Sequence, residues 1–214
     1  MRKIAKRADF EPDSLDVWKR RNPQGIYADL TEVERQGIRT ECSKEQFYLC
    51  AYCCKPISGS NLDTMNEHVE SRRISPNRSL DFTNIVGSCT TNGQCDDSHG
   101  SQPLPLTPFM SECETDLVFK ISGRVSGKTA DAKKTIEVLN LGDKEANNKS
   151  LIETRKQLSL ALLLEHAITP EEEDDWAEEP ELLADVINDL LTPENGKLKP
   201  FAPVVANVLR QWIA

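Results

Sequence analysis

Two of the seven cysteines in this 214-residue chain, Cys50 and Cys53, stand as a CxxC knuckle. A tight CxxC turn points two thiolates to one side, as tetrahedral zinc requires. A second pair must close such a site. Cys89 and Cys95, with five residues between them, are the candidates, and Cys95 with His99, or Cys54, are the alternatives. The set Cys50, Cys53, Cys89 and Cys95 describes a structural Zn2+ site, because four thiolates leave no open position for water. A thiol-redox motif is the rival reading of the knuckle. No βαβ pattern surrounds it, however, and Cys54 sits directly beside it. Cys42 and Cys113 read as ordinary small apolar residues.

Between the knuckles lie Glu67-His68-Val69 and Asn84-Ile85-Val86. A lone Glu-His pair is commonly a surface pair or a satisfied core residue. Enclosed by zinc knuckles and followed by an Asn, it resembles the HNH nuclease motif. That resemblance implies a zinc-stapled hairpin and helix, the ββα-metal element, presenting three groups to a phosphodiester. Glu67 would bind a hard divalent cation, Mg2+ or Mn2+. His68, on the opposite side of the strand, would be the general base. Asn84 would be the second metal ligand or an orienting group. The last position of the motif holds Asp96, which can ligate the cation, with His99 three residues on as a ligand of zinc, of the catalytic metal or of a phosphate. Arg72 and Arg73 follow His68 closely and are the candidates for holding the substrate backbone.

The run from Glu45 through Cys50-Ala51-Tyr52-Cys53, then Glu67-His68-Val69 and Asn84-Ile85-Val86-Gly87-Ser88-Cys89, is similar to the PtuB-type HNH endonucleases of Septu and retron anti-phage systems. The similarity extends to Pro103-Leu104-Pro105-Leu106, to 135–141 with Arg155 beyond, and back to Pro12, Leu15, Trp18 and Tyr27-Ala28-Asp29-Leu30. It covers roughly residues 10–166. Two departures stand out: the last knuckle reads Cys-Asp-Asp-Ser-His, and the first acid is Glu where Asp is commoner. The family implies a PtuA-type ATPase as partner and, in retron systems, a reverse transcriptase with its RNA–DNA product. The substrate would be DNA or RNA. A zinc-binding adaptor without chemistry is the alternative, since it needs the knuckles but not Glu67, His68 or Asn84.

These residues need a frame. Pro12, Leu15 and Trp18 before Asn22-Pro23 predict a helix over 12–21. Thr31 with Glu34 forms a capping box and predicts a helix from 32 to about 49. Residues 50–113 show little helical period. A hairpin is expected over 117–126, and helices over 130–139, 151–166, 181–191 and 202–213. Leu158, Leu160, Leu162, Leu163 and Leu164 read as the apolar face of the 151–166 helix. Val204, Val205, Val208, Leu209 and Trp212 form a stripe that reads as packing on the chain's own core.

The fold expected is α+β: a mostly helical scaffold around a zinc-stapled ββα-metal core. Its parts are an N-terminal helical segment (1–49), the HNH core (50–110), a hairpin with helices (111–166) and an acidic linker with C-terminal helices (167–214). The net charge of −9 seems at first to disfavour nucleic acid, but residues 166–214 alone sum to −8 and the preceding 165 to −1. A near-neutral catalytic part implies weak unaided affinity for nucleic acid. No apolar run reaches the roughly 20 residues of a membrane span. The basic start, with polar residues following it, does not read as a signal peptide, so a cytoplasmic protein is expected.

Overall fold

Pro12 pre-sets the backbone entering helix α1 (Asp13–Arg21), whose first turn carries Asp13 and Asp16 and whose last carries Lys19, Arg20 and Arg21. Those charges complement the helix dipole at both ends. Asn22, preceding Pro23, ends it. Helix α2 (Glu32–Glu45) opens with the capping box expected: Thr31 accepts from the Val33 amide, and Glu34 accepts from the Thr31 amide at 2.9 Å. It stops four residues before Leu49. Phe47 and Tyr48 both take positive φ (52° and 61°), and the Tyr48 amide bonds back to Ser43 O at 2.8 Å. The chain turns there because Leu49 must pair with Pro56 to start the knuckle.

The computed structural model describes residues 1–169, 176 and 178–213. The acidic run 171–175, expected as a linker, lies outside the described residues. Helix outweighs strand, 46% of residues against 10%, so the strands are two small hairpins set in a helical frame. In the first, β1 (Thr64–His68) runs antiparallel to β2 (Ile85–Cys89), with Glu67 opposite Val86 and His68 opposite Ile85. In the second, β3 (Leu117–Phe119) pairs with β4 (Val125–Gly127). Between the hairpins lies α3 (Asp96–His99), a single turn, where the resemblance implied a full helix.

The knuckle docks on the first hairpin through Gly87. The Ala51 amide reaches Gly87 O at 3.0 Å, and the Gln46 side chain both accepts from Gly87 N (2.6 Å) and donates to Gly87 O (2.8 Å). A Cβ at Gly87 would stand 3.0 Å from the end of the Ile57 side chain, which would have to shift by a few tenths of an ångström to admit it. Ile38 and Cys42 of α2 pack with Phe82 and Ile85 on the hairpin's other side. The first residues are also tied in: the Ile4 amide bonds Pro108 O, and Lys6 pairs with Glu45 at 2.6 Å.

Helix α4 (Ala130–Leu139) packs on β4. Helix α5 spans Glu145–Glu165 with a break at Asn148, whose side chain caps the second segment by accepting from the Leu151 amide. Its buried stripe is Leu151, Ile152, Arg155, Ser159, Leu162 and Leu163. Leu158 and Leu164 of the expected leucine face are exposed instead, because a 3.6-residue period starting at Ile152 selects Arg155 and Ser159.

Helices α6 (Pro180–Leu191) and α7 (Ala202–Trp212) pack together, and α7 enters the core. Its Asn207 acts as a strand surrogate, accepting from Phe119 N at 2.9 Å and donating to Leu117 O at 2.9 Å. Just before it, the Leu198 amide donates to Phe47 O and the Phe201 amide to Cys54 O, both at 3.1 Å. Among the described residues, no helix is long and apolar enough to cross a membrane.

Candidate functional site

Cys50 and Cys53 come from the knuckle, Cys89 from the end of β2, and Cys95 from the residue capping α3. All are buried, and their sulfurs lie within 4.8 Å of one another. The Cys50–Cys95 and Cys53–Cys89 sulfurs are 3.8 and 3.9 Å apart. Four thiolates about 2.3 Å from one tetrahedral ion sit roughly 3.8 Å apart, so the donor set fits zinc. The surroundings offer donors to the sulfurs. The Cys89 amide donates to Cys50 Sγ at 3.3 Å, and the Gln94 amide nitrogen lies 3.6 to 3.9 Å from the sulfurs of Cys53, Cys89 and Cys95. Within the quartet, mutual hydrogen bonds hold the Cys89 thiol far below the usual thiol range and Cys53 and Cys95 well above it. His99 and Cys54 stay outside the quartet. Burial pushes Cys42 and Cys113 up to about 12, as for inert core thiols.

Arg155 is fully buried under this region. It donates to Gly123 O (2.7 Å) and Leu141 O (3.0 Å), and among the described residues no carboxylate pairs with it. Burial lowers its pKa, and the sulfurs of Cys53, Cys54 and Cys95 lie near enough to oppose that shift. A four-thiolate zinc centre would carry net negative charge, which Arg155 would partly offset.

Next to the zinc loop, β1 turns successive side chains to opposite faces. Glu67 faces the knuckle: the Tyr52 hydroxyl donates to its Oε1 at 3.0 Å, and the ring Nδ1 of His99 contacts the same oxygen. His99 Nε2 donates to Gln102 O at 2.7 Å, so a further proton is shared between the ring and the Glu67 carboxylate. Asp96 faces Glu67 within hydrogen-bonding reach. Burial, and then that facing carboxyl, pushes Asp96 up to about 8; burial raises Glu67 as well. Two facing carboxyls at the edge of a cleft are a donor pair of the type that a hard divalent cation takes.

His68 faces the other way. Its Nε2 donates to Ser79 O at 2.9 Å, and its ring stands edge-on to Tyr27, 4.6 Å between centres. Burial is the main reason its pKa falls to about 4, so the ring is neutral near pH 7 with a free lone pair on Nδ1.

Glu67, His68 and Asp96 border one cleft of about 610 Å3, together with Arg72 and Arg73. Asn84 does not line it. The Asn84 amide is fully buried, accepting from Glu70 N at 2.8 Å and donating to Glu70 O at 2.9 Å. Of the two roles expected for Asn84, metal ligand or orienting group, its position fits the second: it is buried away from the cleft and fastens the loop carrying Arg72 and Arg73. Arg78 is likewise taken up inside that loop, by Glu70 and Asp81.

Further lining residues of the cleft, absent from the expected site, are Tyr27, Arg35, Arg39 and Asn66. Arg35 and Arg39 are one helical turn apart on α2, a periodicity that would have placed them on one face. No protein-family model matches the chain, and no curated protein matches it at a significant level.

Proposed function

We propose that this protein is a metal-dependent HNH-type endonuclease of the PtuB kind, hydrolysing phosphodiester bonds in DNA or RNA. The observation that carries the reading is the meeting of Glu67, His68 and Asp96 at one cleft, beside a four-cysteine centre and two exposed arginines. Zn2+ held by Cys50, Cys53, Cys89 and Cys95 would hold the loop-rich frame in place. Glu67 and Asp96 would hold Mg2+ or Mn2+, which when bound supplies charge neutralisation for the reacting phosphate.

The chain's own residues divide the remaining work. Ser79 O fixes the His68 tautomer, so Nδ1 is the atom that accepts a proton from water or from a 2′-hydroxyl. Tyr52 and His99 hold Glu67 in place. Asn84 sets the loop that presents Arg72 and Arg73 to the backbone. Following the resemblance, a PtuA-type ATPase would bring substrate and restrain the nuclease, with a reverse transcriptase and its RNA–DNA product in retron settings. A zinc-binding adaptor would need the cysteine quartet, but it gives no reason for facing two carboxyls, one of them buried, and a buried neutral imidazole around an open cleft.

The test is cleavage of labelled DNA and RNA with Mg2+ or Mn2+ and the ATPase present. Wild type is compared with a folded, zinc-loaded His68→Ala variant. Loss of about 100-fold or more in rate is expected. Undiminished cleavage by the variant, or an inert wild type, rejects the reading.

A further inference from the structure

The N-terminal segment places two cations over one aromatic ring. Tyr27, in a short 3-10 turn (Tyr27–Asp29), is buried at the cleft wall. The Arg35 guanidinium carbon lies 5.5 Å from its ring centre, and that of Arg72 lies 4.9 Å away. Arg35 comes from α2 and Arg72 from the loop after β1, so tertiary folding brings these like charges together. Among the described residues neither is paired with a carboxylate. Arg35 donates one bond, from Nη2 to Ala28 O at 3.2 Å, and its Nε is buried with no partner. Its neighbour Arg39 shows the contrast, being paired with Glu32.

We propose that Arg35 and Arg72, backed by Tyr27, form a seat for a backbone phosphate of the nucleic-acid strand, next to the scissile one. Two guanidiniums that line one cleft without a paired carboxylate raise its positive potential, and an anion in the cleft relieves their repulsion. The planar fork of arginine suits a phosphate in particular. Tyr27 also stands edge-on to His68, 4.6 Å between ring centres, so the seat and the proposed base share one wall. The seat thus rests on the nuclease reading for its substrate, and it makes the helical segment a part of the substrate site as well as a support.

The experiment is fluorescence anisotropy of a labelled single-stranded oligonucleotide on the full chain, without added divalent cation, over a series of salt concentrations. Arg35→Ala and Arg72→Ala should each weaken binding about tenfold and reduce the salt slope by about one. Arg35→Lys should recover part of the loss. Arg72 is exposed, so its variant carries the test should Arg35→Ala fail to fold. In cleavage assays both variants should raise KM more than they lower kcat. Binding and salt slope unchanged in both alanine variants overturn the seat, whatever the cleavage assay gives. Arginine-dependent binding by a protein that never cleaves keeps the seat and removes the nuclease. His68-dependent cleavage with arginine-independent binding does the reverse.

Discussion

The Tyr52 hydroxyl donates to the Glu67 carboxylate at 3.0 Å, joining the zinc knuckle to the cleft by one hydrogen bond. Tyr52 lies between Cys50 and Cys53, so the position of its ring follows from how the knuckle is folded. Removing the hydroxyl frees Glu67 Oε1 on one side while His99 still holds it on the other. Tyr52→Phe should keep zinc and fold, lose about 1 kcal/mol of stability, and slow cleavage roughly tenfold. Thermal melts and single-turnover rates check this; a variant with wild-type rate and wild-type cation dependence speaks against the link.

The cysteine quartet makes a claim about stoichiometry. One zinc per chain is expected. Cys95→Ser should lose it and the ordered 45–100 region with it, because structural zinc contributes on the order of 10 kcal/mol to such folds. Cys54→Ala, Cys42→Ala and Cys113→Ala should each keep the metal. Elemental analysis with circular dichroism decides; full zinc occupancy in Cys95→Ser would point to a different ligand set.

Asn84 separates two roles by a single substitution. As a cation ligand, Asn84→Asp would add a negative charge to the site and tighten cation binding. As the clasp of the 70–78 loop, it loses the donor to Glu70 O and sets a charge against that carbonyl. The structure predicts the second outcome: a melting temperature lowered by several degrees, corresponding to about 1–3 kcal/mol, with cation affinity not improved. Calorimetric titration with Mn2+ reads the difference.

Arg155 is the remaining case. Arg155→Met preserves volume but leaves Gly123 O and Leu141 O without these donors and removes a buried positive charge near the cysteine sulfurs. Stability should fall by roughly 3 kcal/mol, and zinc should leave faster to a competing chelator. Arg155→Lys should restore little, since one ammonium cannot span two carbonyls as a guanidinium does. Unchanged zinc release in Arg155→Met would show that the thiolates do not depend on this charge.

How much of this was legible in the sequence depended on range. The α2 capping box and the Cys50–Cys53 knuckle are local patterns, and both appear as read. The set Cys50, Cys53, Cys89 and Cys95 read from spacing is the one that clusters, while the register of β2 against the knuckle is what leaves Cys54 and His99 out of it. Asn84 stayed open between two roles because an amide looks the same in sequence whether its oxygen meets a cation or a backbone N–H. Leu158 and Leu164 misled because hydrophobicity suggested a face that a buried arginine and serine in fact occupy. Tyr27 and Arg35 were silent because the residues they meet, His68 and Arg72, lie far along the chain.

The two bonds that Leu198 and Phe201 give to Phe47 O and Cys54 O have a consequence for synthesis. All four zinc-binding thiols have left the ribosome long before these donors are made. The metal can therefore be captured early, while the knuckle's backbone waits for residues near the end of translation to complete it. A chain interrupted before residue 198 lacks the two donors that brace the knuckle at Phe47 O and Cys54 O. On the nuclease reading, such a fragment would carry its carboxyls and imidazole beside an unbraced knuckle.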